Sequence, residues 1–376
     1  TSKQLVGIFG VSVVILAFIL YGIIPYLPKI AAAFDLFFVN TLGLPFNTGA
    51  AFFMLALLGL CFWGLFETAK RKNALWNTIL LCFTMIVIGF SIFTIVIIRS
   101  SAKTPTNEYQ PDNPYTLVRY LGREQYGSNP LIYGQAFDSP YTLEKVEYWA
   151  PMPGKNEFGE IKDKYIKANG PDDVKYYSEG KMLFPRMWSP SDGGYQSHVS
   201  FYKEYIDEPE YKTYRSEDGR VQHFLMPSFV DNLTYFFDYQ MNWMYWRYFM
   251  WNFAGRQNDI HGQSPNQFAG NWESGIGFLD EPRLGDQSDA PGYLLDNKGK
   301  NHYYMLPLLL GLIGLFFQFA RDKRGSWVTF LMFFMTGIAI VIYLNQPPYQ
   351  ARERDYAYAG SFYAFSIWVG MAVAAL

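Results

Sequence analysis

The arrangement of apolar sequence constrains this chain more than any other feature. Six uncharged, apolar stretches each approach the ~20 residues that a transmembrane helix needs, and they form two groups of three around a long polar segment. The stretches are Leu5–Leu27, Thr48–Phe66, Ala74–Ile98, Tyr303–Ala320, Ser326–Leu344 and Gly360–Leu376. This pattern predicts a polytopic α-helical membrane protein with a polar domain inserted between spans three and four.

The apolar and polar parts divide the chain into three regions. Residues 1–99 are expected to hold three transmembrane helices, with an outer interfacial or re-entrant segment near 28–47. Residues 100–302 form the polar domain, and residues 303–376 hold three more transmembrane helices, the last of them truncated. Because the chain begins without Met and its last apolar stretch reaches the chain end, we expect a fragment of a larger protein.

Charged turns predict the orientation. Loops between consecutive spans alternate sides, so residues 67–73 and 321–325 lie on one side if six spans is the correct count. Both turns are basic, through Lys70, Arg71, Lys72, Arg321, Lys323 and Arg324. The positive-inside rule places them in the cytoplasm. The polar domain then lies on the outer face, which is periplasmic in a Gram-negative cell and lumenal in a eukaryote.

Composition excludes two classes of protein. A net charge of −2 argues against a nucleic-acid partner, because neutralising phosphates requires a surplus of Lys and Arg. The only cysteines, Cys61 and Cys82, lie inside predicted spans, so no disulfide framework is available to the polar domain. That domain must be held together by packing.

Local signals in the polar domain predict mixed α and β structure. Asn113 and Pro114 suit the N-terminus of a helix, which is expected to stop at Gly127. Two strand-like runs, 211–216 and 220–225, flank Asp218 and Gly219, a strong hairpin signal. The aromatic segment 233–253 carries too many polar residues for a seventh span, so we interpret it as a helix lying in the outer membrane interface.

The most concentrated polar cluster next to a predicted span is Arg352, Glu353, Arg354 and Asp355. One interpretation is a solvated turn whose charges pair with one another. The other is a clamp for a lipid-linked phosphate, because a guanidinium group can bond two phosphate oxygens at once. Neighbouring Tyr356 would stack on a sugar or belong to the aromatic belt of the membrane interface.

A second candidate cluster follows the aromatic helix. It consists of Arg247 and, beyond Gly255, of Arg256, Asn258 and Asp259. Amides and carboxylates of this kind hold sugar hydroxyl groups, so the cluster is a candidate acceptor or sugar site. The alternative is that Arg256 caps the helix and extends to the lipid headgroups. Arg186, among apolar residues, is expected to make a structural pair.

Patterns typical of common catalytic sites are missing from the sequence. The four histidines lack the spacing of a zinc site, and there is no pair of cysteines for one. No nucleophile elbow, phosphate-binding loop or dinucleotide fingerprint occurs.

Four motifs carry a resemblance to a known family. They are YTLVRYLGREQYG with PLIYGQ, then GKMLFPRMWS, then MYWRYFMWNFAGRQND, and finally YQARERDYAYAGSFYAFSIWVG. In this order they resemble the Bacteroidota multi-pass proteins grouped with transmembrane protein 260-like O-mannosyltransferases and glycosyltransferase family 117. The resemblance covers essentially the whole chain.

The resemblance implies a glycosyltransferase of the GT-C type in a bacterial inner membrane, with its large domain in the periplasm. Such an enzyme transfers a sugar, mannose or another hexose, from a polyprenyl-phosphate carrier to a hydroxyl group of an exported protein. Its catalytic Asp is expected in a first outer loop that this chain lacks, and Asp35 matches no catalytic motif. No catalytic base is therefore assigned.

Negative charge grows on the departing phosphate in such a transfer, and preorganised cations favour that charge. Arg352 and Arg354 are therefore the candidate donor-phosphate ligands. Glu353 and Asp355 would orient them, bind the sugar or coordinate a divalent metal, and the sequence does not choose among these. No other cofactor is expected.

Two other classes of function remain open. A non-enzymatic membrane scaffold or assembly factor would bind a partner through an aromatic outer surface. A transporter is a third alternative, but it normally needs ionisable residues within its spans, and the predicted spans have few.

Overall fold

The computed structural model of the chain describes residues 2–124, 129–155, 161–192, 196–207, 209–215, 219, 221–287 and 291–376. The description below refers to these residues.

Three long apolar helices occupy the N-terminal part. Helix α1 is continuous from Ser2 to Asn40, with α-helical Ser2–Phe18 and Ile24–Asn40 joined by a π-helical segment, Ile19–Ile23. Helix α2 is Thr48–Lys70, and α3 joins Ala74–Ser91 and Thr94–Ser101 through a short turn. Helix α4, Pro114–Leu121, begins at Asn113, whose side chain accepts hydrogen bonds from the Tyr115 and Thr116 amides.

The polar segment contains four two-stranded sheets and several short helices. The strands are β1 Tyr133–Gln135, β2 Tyr141–Lys155, β3 Ile161–Tyr176, β4 Lys181–Leu183, β5 Tyr211–Arg215, β6 Val221–Leu225, β7 Gly255–Arg256 and β8 Asn301–His302. They pair as β1 with β4, β2 with β3, β5 with β6, and β7 with β8. Helix α5 is His198–Lys203.

The aromatic segment forms one continuous helix, α6, from Phe229 to Phe253. Its central part, Phe236–Trp246, is π-helical, and the flanking parts, Phe229–Tyr235 and Arg247–Phe253, are α-helical. Two short helices follow, α7 Gly277–Leu284 and α8 Gly292–Leu295.

The C-terminal part consists of three apolar helices. Helix α9 is Leu306–Arg321, α10 joins Lys323–Thr336 and Ile338–Leu344, and α11 covers Asp355–Tyr358 and Ala359–Ala375. Helices α9 and α11 approach so closely that a Cβ atom at Gly314 would overlap the Trp368 carbonyl oxygen. Small residues at such crossings are typical of membrane helix pairs.

The chain divides into two compact units. Unit 1 consists of Thr1–Ser128 and Leu143–Asp173, and unit 2 of Asn129–Thr142 and Val174–Leu376. The core of unit 2 is built around α6, where aromatic side chains such as Tyr235, Tyr239 and Phe249 are fully or almost fully buried.

Within the described residues, five helices are long and apolar enough to cross a membrane. They are Gly7–Asn40, Thr48–Lys70, Ala74–Ser101, Lys323–Leu344 and Asp355–Ala375. Most of their apolar side chains face outward, as expected of helices that a bilayer surrounds. Helix α9 is shorter, at 16 residues, and would extend only ~24 Å at 1.5 Å per residue. The chain therefore has the helices of a membrane protein.

Several local predictions can be compared with this fold. The helix start at Asn113 and the β5–β6 hairpin are confirmed, with Tyr211 opposite Leu225. Helix α4 ends at Leu121, and the predicted stop at Gly127 lies outside the described residues, as does the turn residue Asp218. The segment near 28–47, expected to be a separate interfacial or re-entrant segment, begins as a continuation of α1, which runs through Pro25 and Pro28 to Asn40.

The interpretation of residues 233–253 also needs correction. A helix lying in the membrane interface would expose one side to lipid headgroups along its length. In the structure most aromatic side chains of α6 are buried within unit 2, with exceptions such as Phe237 and Trp246. The helix is a core element of the protein, so its aromatic residues are explained by packing.

Candidate functional site

Arg247 is the central polar residue of α6 and is 2% exposed. Its Nε donates to the Trp243 carbonyl at 3.0 Å, and its Nη1 donates to the Gly270 carbonyl at 2.9 Å. The guanidinium group also lies over the Trp243 ring, 4.1 Å from its centroid. A buried cation of this kind needs compensating acceptors, and a carboxylate partner supplies an opposite charge as well.

That partner is Glu353, in the loop between α10 and α11. Its carboxylate accepts hydrogen bonds from Arg247 Nη1 at 3.2 Å and Nη2 at 2.8 Å, from the Gly262 amide at 2.8 Å, and from the Tyr248 hydroxyl. Burial alone would raise the pKa of Glu353. The hydrogen bonds and charge of Arg247 and the hydrogen bonds from Tyr248 and Gly262 outweigh that effect, so the pKa is lowered. Glu353 is therefore an ionised anchor for its loop.

Two glycines make room for this ion pair. A Cβ atom on Gly270 would lie 2.9 Å from Arg247 Nη1, and the positive φ of Gly270, 66°, is itself unfavourable for other residues. A Cβ atom on Gly262 would lie 3.0 Å from the same nitrogen. The loop 255–270 thus closes over Arg247 at the distance that only glycine permits.

The predicted phosphate ligands, Arg352 and Arg354, flank Glu353 on both sides. Neither guanidinium group has a hydrogen bond or ion pair with any described residue, and Arg352 lies over the Tyr356 ring, 5.3 Å from its centroid. Both side chains are at least partly exposed, as is Asp355. The alternative of a solvated turn whose charges pair with one another differs from the structure in its pairing, because no ion pair within the run occurs among the described residues. The Glu353 carboxylate is paired with Arg247, and the guanidinium groups of Arg352 and Arg354 have no ion-pair partner among the described residues.

Arg256 brings a third guanidinium group toward the same loop. It lies 3.9 Å from the centroid of the Trp251 ring, and its Nε donates to the Asn258 carbonyl at 2.8 Å. Burial lowers the pKa of Arg256 more than the nearby carboxylates of Glu353, Asp259 and Asp355 raise it. The carboxylates of the site are therefore close enough to influence the pKa of Arg256.

The other members of the second cluster have structural partners. Asn258 is fully buried, and its side chain bonds the Gly270 amide at 2.8 Å and the Phe268 carbonyl at 2.8 Å. Asp259 accepts a hydrogen bond from Asn297 at 2.7 Å. Arg247 is already engaged with Glu353. Of the predicted acceptor-binding residues, Arg256, Tyr356 and the exposed carboxylate of Asp259 thus present groups with spare bonding capacity.

The structure gives no support to the divalent-metal alternative at this site. Among the described residues, no group of three or more His, Cys, Asp or Glu side chains is arranged to hold a metal ion. The Glu353 carboxylate already accepts four hydrogen bonds. The cation-rich loop fits an anionic ligand better.

Arg186 connects the end of α10 to the segment before β1 in unit 2. It is fully buried, and its guanidinium group donates to the Ile342 carbonyl at 3.0 Å and the Leu131 carbonyl at 2.6 Å. Asn345 donates to the Pro130 and Pro185 carbonyls at 2.7 and 2.9 Å. Burial lowers the pKa of Arg186 to about 10. Its role is structural, as expected, although it binds carbonyls and not a carboxylate.

Sequence reasoning missed a buried acidic site in unit 1. Asp35 is fully buried and accepts hydrogen bonds from the Asn47, Gly49 and Ala50 amides at 3.1, 2.9 and 3.3 Å, and from the Tyr165 hydroxyl at 2.7 Å. These amides belong to the N-terminus of α2, where a negative charge is favourable. Asp35 therefore ties α1, α2 and the β2–β3 hairpin together.

Comparison with known proteins adds one family. Residues 127–237 match DUF8416, a family of unknown function. This stretch runs from β1 to the first turns of α6 and includes Arg186. No curated protein and no solved structure matches the chain.

Proposed function

We propose that the chain is part of a membrane glycosyltransferase that binds the phosphate of a polyprenyl-phosphate sugar donor and serves transfer to a hydroxyl group of an exported protein. The observation that carries the proposal is the loop 352–354, in which two unpaired guanidinium groups flank a carboxylate that is locked inward. The proposal gives this chain the donor-phosphate site and assigns no catalytic base among its residues.

The depth of the loop supports a lipid ligand. Arg352 and Arg354 directly precede Asp355, where the apolar helix Asp355–Ala375 begins. A phosphate attached to a polyprenyl chain lies at the membrane surface while the chain lies in the bilayer. Cations at the end of a transmembrane helix therefore meet such a phosphate at its own depth, and the helix N-terminus adds favourable N–H groups.

The placement of the polar segment supports an outer location for this loop. In unit 2, Arg186 donates to the Leu131 and Ile342 carbonyls, and Asn345 donates to the Pro130 and Pro185 carbonyls, at the end of α10 that leads into the loop. The basic turn 321–325 lies at the opposite end of α10. The positive-inside rule places that turn in the cytoplasm, and hence the loop outside. Helix α9, paired closely with α11, is the proposed sixth span.

The scaffold alternative is weakened by the burial of α6. An aromatic binding surface would expose Tyr and Trp side chains to a partner, but Tyr239, Trp243, Tyr245 and Tyr248 are buried within unit 2. The aromatic residues of α6 are thus largely used by the core, whereas others in the polar domain, such as Tyr211 and Tyr293, are exposed.

The proposal predicts that replacing both Arg352 and Arg354 by alanine will greatly reduce binding of a polyprenyl monophosphate. Each charge-assisted bond to a phosphate contributes roughly 1.5–3 kcal/mol, so the double variant should bind at least ~100-fold more weakly. A photo-crosslinkable polyprenyl monophosphate, added to the protein in nanodiscs, would measure the labelling yield against probe concentration.

The matched control replaces Arg321 and Arg324 by alanine, which removes two cations at the opposite end of the same group of helices. This variant should label like the wild type. Equal labelling of the R352A/R354A variant and the wild type would overturn the proposed phosphate site. Absence of any labelling of the wild type would favour the scaffold alternative.

A further inference from the structure

A cleft of about 300 Å³ opens beside α6 and lies entirely within unit 2. Its walls include the side chains of Asn242, Trp243, Gln267, Asn271, Trp272 and Arg283. Small-molecule sites begin at about this size, so the cleft can hold one or two six-membered rings. None of the described residues that line it has a carboxylate side chain.

Several polar groups in the cleft have no hydrogen-bond partner among the described residues. The side-chain amides of Asn242 and Gln267 are exposed and make no hydrogen bond with any described residue. Arg283 uses Nη2 to bond the Trp272 carbonyl at 2.6 Å, which leaves Nη1 unbonded. The cleft therefore presents free donors and free acceptors close together.

Asn271 adds an acceptor whose direction is fixed. Its side chain is almost entirely buried, and its Nδ2 donates to Gln257 Oε1 at 3.0 Å and to the Asn266 carbonyl at 2.8 Å. These two bonds hold the amide, and Oδ1 has no hydrogen-bond partner among the described residues. A nearly buried amide that lines a cleft and has an unbonded oxygen is prepared to receive a donor from a ligand.

The charges in the cleft are already balanced. Arg247, at its inner wall, is paired with Glu353 at 2.8 Å. Arg283 lies 3.4 Å from Asp280 and stacks on the Trp272 ring, 3.7 Å from its centroid. A ligand carrying a full negative charge would find no unneutralised cation. A neutral ligand rich in hydroxyl groups would find donors, acceptors and indole surface together.

We propose that this cleft binds a neutral saccharide of one or two hexose-sized rings. Each sugar hydroxyl both donates and accepts hydrogen bonds, which matches the mixture of the free amides, Asn271 Oδ1 and Arg283 Nη1. The C–H face of the ring matches the indole of Trp272, which is only half-buried. The proposal goes beyond the phosphate site, because it requires neither a lipid carrier nor a transfer reaction.

Saturation-transfer NMR with the protein in nanodiscs tests the proposal. The probes are methyl α-mannopyranoside, methyl α-glucopyranoside and maltose, each up to ~10 mM, which is tenfold above a Kd of ~1 mM. At least one probe should bind the wild type. The N242A/Q267A variant should bind it at least about tenfold more weakly, because both side chains are exposed and their loss should leave the fold intact.

Gln222→Ala is the matched control, since Gln222 is an exposed amide on β6 that does not line the cleft. It should bind the saccharide as the wild type does. The inference is overturned if no probe binds, if N242A/Q267A binds unchanged, or if glucose 1-phosphate binds far more tightly than the neutral sugars.

The R352A/R354A variant separates this inference from the proposed function. It should keep saccharide binding while it loses labelling by the lipid phosphate. Saccharide binding without lipid-phosphate labelling in the wild type would overturn the proposed function alone. Labelling without saccharide binding would overturn the cleft assignment alone.

Discussion

Replacing Glu353 by alanine is expected to destabilise unit 2 by about 3–5 kcal/mol, the usual cost of leaving one member of a buried ion pair without its partner. Arg247, 2% exposed, would keep its charge but lose both bonds to the carboxylate. The Tyr248 hydroxyl and the Gly262 amide would also lose their acceptor. Chemical unfolding followed by tryptophan fluorescence would measure the loss, because Arg247 lies over the Trp243 and Trp251 rings.

The control for this variant is Asp355→Ala, which removes an exposed carboxylate only two residues away. It should change the free energy of unfolding by less than ~0.5 kcal/mol. The double variant R247M/E353L should recover part of the loss, because replacing both members of a buried pair by apolar residues is often nearly neutral. Equal stability of Glu353→Ala and Asp355→Ala would contradict the anchoring role of Glu353.

The same ion pair predicts a dependence on pH. Hydrogen bonds and the charge of Arg247 lower the pKa of Glu353 below the ordinary value of 4.5, against the opposing effect of burial. A carboxyl group with a lowered pKa in the folded state stabilises fully above its unfolded-state pKa, and that contribution is lost as the pH falls through the folded-state pKa. Unfolding experiments should therefore show the stability difference between wild type and Glu353→Gln to be constant near neutrality and to shrink below about pH 4.5.

The anchoring role of Glu353 could be inferred from sequence only in part. Arg247 in an apolar, aromatic helix signals a buried cation that needs a carboxylate. Its partner lies 106 residues later, and the sequence offers several acidic residues at that range. In sequence Glu353 looks like one more member of the exposed charged run with Arg352 and Arg354, because neighbours in such a run differ only once the fold turns one of them inward.

Short-range sequence signals predicted more of the fold than the average composition did. The Asn113 cap and the β5–β6 hairpin depend on a few adjacent residues, and both formed where expected. Whether α6 lies in a membrane interface or in a protein core depends instead on which other elements pack against it. Aromatic residues suit a membrane interface and a protein core equally, so only the packing against residues such as Tyr358 and Phe365 distinguishes them.

The arrangement of unit 2 connects the two proposed sites. Arg247 lines the cleft on one side and binds Glu353 on the other, and Glu353 lies between the two free arginines. A variant that breaks this pair should therefore disturb both saccharide binding and lipid-phosphate labelling. Variants in the cleft or in the loop should each affect one ligand. Glu353 is accordingly a positioning residue for both sites and a ligand of neither.

Replacing Asp35 by alanine is expected to have a comparably large effect on unit 1. Three backbone amides and the Tyr165 hydroxyl would lose their shared acceptor in a fully buried position. Each buried donor left without a partner costs about 1–3 kcal/mol, so the total should be at least ~3 kcal/mol. Cys61, which is 3% exposed, provides the measurement. In a Cys82→Ala background, its reaction with a thiol-specific dye during heating reports the unfolding of unit 1.

The variants Asp35→Asn, Tyr165→Phe and their combination distinguish a structural role from a catalytic one. Asparagine keeps one oxygen as the acceptor for the Gly49 and Ala50 amides. Its NH2 group replaces the other oxygen and faces the Asn47 amide and the Tyr165 hydroxyl. The destabilisation by Asp35→Asn should therefore depend on whether the Tyr165 hydroxyl is present. The two substitutions should therefore be less than additive in the combined variant. Glu108→Ala, at an exposed acidic residue of the same unit, should leave the transition unchanged. If Asp35→Asn instead abolished sugar transfer without lowering the transition temperature, Asp35 would act in the reaction itself, and its four hydrogen bonds would be the means of holding a catalytic carboxylate in place.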